Sequence, residues 1–315
     1  MSNAPAFELS TAVSNLRHLR ESDLGPYDAV YLGNVYCPRY EANLLERPDE
    51  LREAIGRVRA LGKRPRLTTY AATRREMLPG LRRALEVAAE AAVDAVEVHA
   101  LGLLTLAREV APGLPLHVGS FASVYTDAAV DALARFGVRR IAPSHELTLD
   151  EADAIAAAGR VPLELPVHGK LPLGVSDTCI LLDHARGWGV ACPDLCQREV
   201  FLQREEWSLK SVGTGILTGR DFCLLGELPR LLAAGHRHFR IEAVSESPAY
   251  RAEVGAVYRE ALGRVLAGDV AMEPRWWATL VRHARVGFCN GFAFGQSGMN
   301  HVGATATAAG ARPSD

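Results

Sequence analysis

The residues of this chain best suited to chemistry lie between His168 and Cys196. They read His168-Gly169-Lys170-Leu171-Pro172, then Ser176-Asp177-Thr178-Cys179, and finally Cys192-Pro193-Asp194-Leu195-Cys196. Three of the six cysteines are here, in a segment too rich in Gly, Pro and Asp for a plain helix or strand. It follows an apolar run at 161–167 that reads as a buried strand. Thiolates at such spacing serve a soft metal or a redox reaction. A four-thiolate site needs one more cysteine from elsewhere.

The elements that would supply it alternate regularly. Strands are expected at 6–13, 27–33, 64–70, 95–99, 116–119, 138–141, 161–167 and 237–241. Helices are expected at 13–20, 49–61, 74–92, 103–110, 126–136, 148–158, 222–234, 248–267 and 274–285. Thr148 reads as an N-cap with Glu151 as its capping-box partner. Residues 199–205 and 207–212 read as a hairpin, so 169–212 forms a cysteine-bearing loop and hairpin inserted before the last β/α unit. About eight strands separated by helices predict an α/β fold, a (β/α)8 TIM-barrel-like domain over 1–299 with closing C-terminal helices. A small, polar tail at 300–315 is expected to be disordered. An open doubly wound sheet is the alternative, weakened by the lack of a Gly-x-Gly-x-x-Gly after an early strand.

In a barrel every loop that follows a strand opens on one face. Cys37 follows the strand at 27–33, and Cys179, Cys192 and Cys196 follow the one at 161–167, so these four thiols can meet over one mouth. They suit zinc or an iron-sulfur cluster. Structural zinc usually takes two close pairs, whereas here only Cys192 and Cys196 are close, which favours the cluster. Cys223 and Cys289, flanked by apolar residues, read as packing thiols. At strand ends, His168 is a candidate to orient a ligand and Glu242 to bind substrate or transfer a proton; capping of the strand and a salt bridge to a neighbouring Arg are the plainer readings. His145-Glu146 lacks a second histidine four residues on, because Leu149 stands there, and no Gly-x-Ser-x-Gly is present. His236 and His238 read as surface residues.

Composition narrows the function classes. Formal net charge is −2 with acids and bases interspersed, so no basic field marks stable nucleic-acid binding. No apolar run reaches the roughly 18 residues of a membrane span, and the first residues lack signal-peptide order. A cytoplasmic protein is expected, and in that compartment six cysteines speak for metal or redox use rather than disulfides.

Val167-His168-Gly169, Ser176 to Cys179, the Cys192/Cys196 pair, Ser144-His145-Glu146-Leu147, Arg240-Ile241-Glu242, Ser247-Pro248-Ala249-Tyr250, Asn290-Gly291-Phe292 and Phe294-Gly295 together resemble the peptidase U-thirty-two-like family. Tyr31-Leu32-Gly33 followed by Cys37 is similar to its UbiV-like subgroup, whereas Pro172 stands where many members carry a cysteine. The resemblance implies a 4Fe-4S cluster on Cys37, Cys179, Cys192 and Cys196. It also implies a heterodimer with a UbiU-like homologue that hydroxylates a ubiquinone precursor without dioxygen, using a small organic oxygen donor. A greasy precursor would need a partner surface or a lipid-carrier protein to reach the site. The same family includes factors that hydroxylate tRNA and rRNA, which makes RNA hydroxylation the alternative and peptidase activity the second.

Overall fold

Each helix of this chain carries one apolar face, and each face needs a sheet to cover it. Leu51, Ala54, Ile55 and Val58 form that face on one helix, and Leu81, Ala84, Leu85 and Ala88 on the next. The computed structural model describes residues 6–37, 40, 42–176, 178–182, 196, 200–204 and 207–303. Eight parallel strands meet the helices: β1 (Glu8–Val13), β2 (Ala29–Leu32), β3 (Arg64–Thr68), β4 (Ala95–Val98), β5 (Leu116–Val118), β6 (Val138–Ile141), β7 (Glu164–Gly169) and, after an insertion that carries five further strands among the described residues, β13 (His238–Glu242). Neighbours pair in the order β7-β13-β1-β2-β3-β4-β5-β6. A bridge between Ile141 and Leu163, with Ile141 N–H donating to the Pro162 carbonyl at 3.1 Å, joins β6 back to β7 and closes the ring. The barrel expectation is met.

Helices α1 (Leu16–Glu21), α2 (Pro48–Ala60), α3 (Leu78–Glu90), α4 (Gly102–Val110), α5 (Asp127–Arg135), α6 (Leu149–Ala157), α7 (Leu228–Ala233) and α8 (Pro248–Leu266) pack around it, followed by α9 (Pro274–His283). The Thr148–Glu151 capping box forms as expected, with Glu151 N–H donating to Thr148 Oγ1 at 3.2 Å and Thr148 N–H to the Glu151 carboxylate at 2.8 Å. The main core is the ring of apolar side chains between strands and helices. No described helix is long and apolar enough to cross a membrane.

The insertion lies between β7 and α7 and is more ordered in pairing than a hairpin. Strands β8 (Pro172–Val175), β9 (Phe201–Arg204), β10 (Trp207–Val212) and β11 (Gly215–Thr218) form a second, antiparallel sheet in the order β8-β11-β10-β9. Because it leaves the barrel at the C-terminal end of β7, it lies over the mouth. The expected helix at 222–234 begins later. Its first residues form β12 (Asp221–Cys223), antiparallel to β7, and Pro229 takes the first turn of α7, where a missing N–H costs nothing. The strand at 237–241 is not the last, since β14 (Phe288–Cys289) pairs with β12. Past it, Val302 N–H donates to the Asn290 side chain at 2.6 Å.

Candidate active site at the barrel mouth

The barrel interior is charged, where branched apolar layers are usual. Strand alternation turns Glu8, Ser10, Tyr31, Arg66, Glu97, His117, Arg140, Glu164 and Arg240 inward, and all but the partly covered Arg140 are buried. At the bottom, Glu8 takes Arg66 Nη1 at 2.7 Å together with Arg64 and Arg140. In the middle, Glu164 accepts from Tyr31 Oη at 2.7 Å, Arg240 Nε at 3.2 Å and Ser10 Oγ. Burial alone would push these carboxyls up. The guanidinium groups overcome it, holding Glu8 at about 2 and Glu164 well below the carboxylate range. Such charges persist in a core only when paired this fully.

Toward the mouth the pattern changes. Arg240 Nη2 donates to Glu97 Oε1 at 2.6 Å, and Glu97 Oε2 accepts from Thr68 Oγ1 at 2.8 Å. His99, one residue beyond β4 and inward-facing, sets Nε2 at 3.2 Å from Glu97 Oε2 and 3.2 Å from Thr68 Oγ1. Glu242 ends β13. Its closest charged neighbour among the described residues is Arg240 Nη1 at 3.9 Å, beyond hydrogen-bond reach, and its side chain is 19% exposed. Burial pushes its carboxyl up to about 7; Arg240 offsets this only in part, and the Glu97 and Glu164 charges add to it. Among the described inward-facing acids, Glu8, Glu97 and Glu164 are lowered and Glu242 is raised.

An apolar cluster of Ala12, Tyr31, Tyr36, Val212, Leu217 and Val244, with Phe121 and Val175 against it, fills the space between the mouth and the second sheet. Tyr36 meets Phe121 edge-on at 5.8 Å, and Phe121 meets His99 at 5.6 Å. Burial raises the Tyr36 phenol well above its ordinary value, and the Glu242 charge is the largest electrostatic contribution. Tyr36 and Glu242 therefore lie within electrostatic reach of one another beside this cluster.

Cys37 follows Tyr36 on the loop after β2 and is buried. Asn43 ties that loop: its Oδ1 accepts from Asn34 N–H at 2.9 Å and Leu45 N–H at 3.1 Å, and its Nδ2 donates to the Cys37 carbonyl at 3.2 Å. The turn between β10 and β11 presses on the same loop. Gly213 there has φ +59, and a Cβ on it would fall 2.5 Å from Cys37 Cβ and 3.0 Å from Sγ. Thr214 N–H donates to the Tyr36 carbonyl at 3.1 Å, while the Thr214 carbonyl accepts from Ser176 N–H at 2.7 Å. One turn thus fastens the Cys37 loop on one side and the strand leading to Cys179 on the other. Cys179 is half-buried and Cys196 buried; Cys192 lies outside the described residues. Among the described residues no group of three or more His, Cys, Asp or Glu is assembled as a metal site. Thiolates are the donor chemistry of zinc and iron-sulfur sites alike, and the shared turn holds the Cys37 loop against the strand that leads to Cys179.

His168 sits elsewhere. Pairing of β13 with β7 shifts register after Arg240, so that His168 stands beside the outward Ile241 rather than the inward Glu242. The ring is fully buried with Nδ1 3.1 Å from Tyr258 Oη and Phe288 edge-on at 6.2 Å, and burial lowers its pKa to about 3. Cys223 and Cys289 are buried thiols pushed up by burial to about 11 and about 12. His236 is not a surface residue but is buried against Asp153 at 2.7 Å, and His238 is half-buried in the barrel floor. His145 meets Phe292 at 6.1 Å, and Glu146 accepts from Tyr125 Oη at 2.5 Å. Sequence reasoning missed Glu97 and His99, although the alternation of Ala95, Glu97 and His99 along one strand face was a usable signal.

The family model described as peptidase family U32 matches residues 18–303. An uncharacterized protease of Methanocaldococcus jannaschii is 29% identical over 252 residues, 75% of this chain and 61% of that protein. A tRNA hydroxylation protein P of Helicobacter pylori is 26% identical over 270 residues, 81% of this chain and 64% of that protein. The chain thus spans less than two thirds of the length of either relative. A solved U32 peptidase structure superposes with a TM-score of 0.42 at 19% identity, covering 54% of this chain and 71% of that one.

Proposed function

We infer that this chain, which belongs to peptidase family U32, is the iron-sulfur component of an oxygen-independent ring hydroxylation. Cys37, Cys179, Cys192 and Cys196 would be the thiolates of a 4Fe-4S cluster, which when bound supplies one-electron transfer. The observation that carries the reading is Glu242, an acid raised to about 7 at the barrel mouth beside the apolar cluster of Tyr36, Phe121, Val212 and Val244, with Cys37 next to Tyr36 on the same loop. Aromatic and aliphatic walls suit a flat ring, and a carboxyl of this kind gives or takes the proton that ring hydroxylation requires.

The ring is that of a ubiquinone precursor, delivered by a lipid carrier or a complex surface, and a UbiU-like homologue completes the enzyme as a heterodimer. The Tyr31-Leu32-Gly33 and Cys37 pattern supports this substrate. A second reading, an RNA base as the ring, is supported by the tRNA hydroxylation protein among the relatives. A deletion strain grown without oxygen separates the two. Loss of ubiquinone with an unchanged RNA nucleoside profile supports the first; loss of a hydroxylated nucleoside with normal ubiquinone supports the second. Normal levels of both would overturn the hydroxylation reading.

A further inference from the structure

The geometry points to His99 as the group that accepts a hydrogen bond, and then a proton, from an O–H or N–H carried by a planar ring bound at the mouth. For its place in a reaction this rests on the hydroxylation reading; for binding it rests on the geometry alone. His99 is 4% exposed, and its Nδ1 is a buried polar atom with no hydrogen-bond partner. Buried polar atoms are nearly always paired, so an unpaired one beside Phe121 and the apolar cluster at the mouth marks a place for a ligand atom.

The rest of the ring is fixed. Nε2 lies 3.2 Å from both Glu97 Oε2 and Thr68 Oγ1, and Glu97 is itself held by Arg240 at 2.6 Å. A proton on Nε2 shared with Glu97 leaves the Nδ1 lone pair available, which is how a carboxylate selects a histidine tautomer. Glu97 and Arg240 are therefore positioning residues. The ring lies on Gly119, where a Cβ would fall 2.1 Å from Cε1 and 2.3 Å from Nδ1, so only glycine leaves room for it. Phe121, edge-on to His99 at 5.6 Å and to Tyr36 at 5.8 Å, supplies the aromatic surface a planar ligand would stack against.

The proton step balances without a further reagent. The ring's O–H or N–H bond breaks, its electron pair stays on that oxygen or nitrogen and is shared with the ring carbons, and the proton passes to Nδ1. The ring is thereby made electron-rich before oxygen is added. Phenols and nucleobases with a ring N–H share this chemistry, and the test has an arm for each.

The full chain, purified anaerobically, is titrated calorimetrically with phenol against anisole, and with uridine against N3-methyluridine. The methylated member of each pair keeps the ring and loses the donor. Wild type is expected to prefer the donor member of at least one pair by about tenfold, the worth of one buried hydrogen bond. His99→Phe is expected to abolish that preference with iron content unchanged. Glu97→Gln serves if His99→Phe fails to fold, and is expected to weaken the preference by loosening the ring. In the complex with its partner, hydroxylation by His99→Phe should fall about 100-fold. No donor preference in wild type, or a preference and turnover that survive His99→Phe, would overturn the assignment. A donor preference that His99→Phe abolishes, in a protein that hydroxylates neither substrate, would uphold the binding role and reject the hydroxylation reading instead.

Discussion

Glu242→Gln tests the physical state of the mouth. The carboxyl is largely covered, its nearest cation among the described residues is Arg240 at 3.9 Å, and the Glu97 and Glu164 carboxylates and the Tyr36 phenol lie within electrostatic reach. Its folded-state pKa rises from 4.5 to about 7. Between those values the unfolded chain has released the proton while the folded chain still holds it, so stability falls as pH rises. The loss is complete above the folded value and amounts to about 3 kcal/mol. Glutamine has the same shape and no charge to desolvate. Glu242→Gln should therefore unfold at the same urea concentration as wild type near pH 4.5 and be more stable by about 2–3 kcal/mol at pH 8.5. It should also lose the hydroxylation that a titrating carboxyl supports. Equal or lower stability of the variant at pH 8.5 would refute the reasoning, because it would mean that Glu242 is ionised and well paired with Arg240.

Gly213→Ala places a methyl 2.5 Å from Cys37 Cβ at φ +59, and should cost about 1–2 kcal/mol and lower iron per chain in anaerobic preparations; unchanged iron would show that the turn does not set the Cys37 position. Burial lowers His117 and His168 to about 3 and His145 and His238 to about 4. Each pKa is below its unfolded value of 6.5, so the unfolded chain takes up more protons in acid, and the urea midpoint should fall between pH 6.5 and pH 4.5 by more than Glu242 restores. Thr148→Ala removes the cap of α6 seen in both reciprocal bonds and should cost about 1 kcal/mol in thermal unfolding with no change in iron.

The alternation of strand and helix was legible because each barrel strand and helix carries its own local period, and the Thr148–Glu151 box because capping is a four-residue pattern. The second sheet was half legible. Trp207–Val212 alternates and was read, whereas Pro172-Leu173-Gly174-Val175 carries too little propensity to declare a strand and depends on pairing with β11. Phe222 and Cys223 fall within the expected helix because a short apolar run before leucines fits either period, and only their pairing with β7 decides it. His168 could not be placed, since one register shift in β7–β13 reverses the face it occupies. The charged interior was hidden for a similar reason. Arg66, Arg140 and Glu164 look like solvent-facing positions until the ring closes and their partners, up to 154 residues apart in the case of Glu164 and Ser10, are brought together.

Metal content under anaerobic conditions tests the central claim most directly. Iron and acid-labile sulfide should be present in the wild-type chain and fall sharply when Cys37, Cys179, Cys192 or Cys196 is replaced by Ala. Replacing Cys223, which is buried against Tyr258 at 3.6 Å, should leave both in place. Stoichiometric zinc without sulfide, or iron that survives Cys37→Ala and disappears with Cys223→Ala, would contradict it.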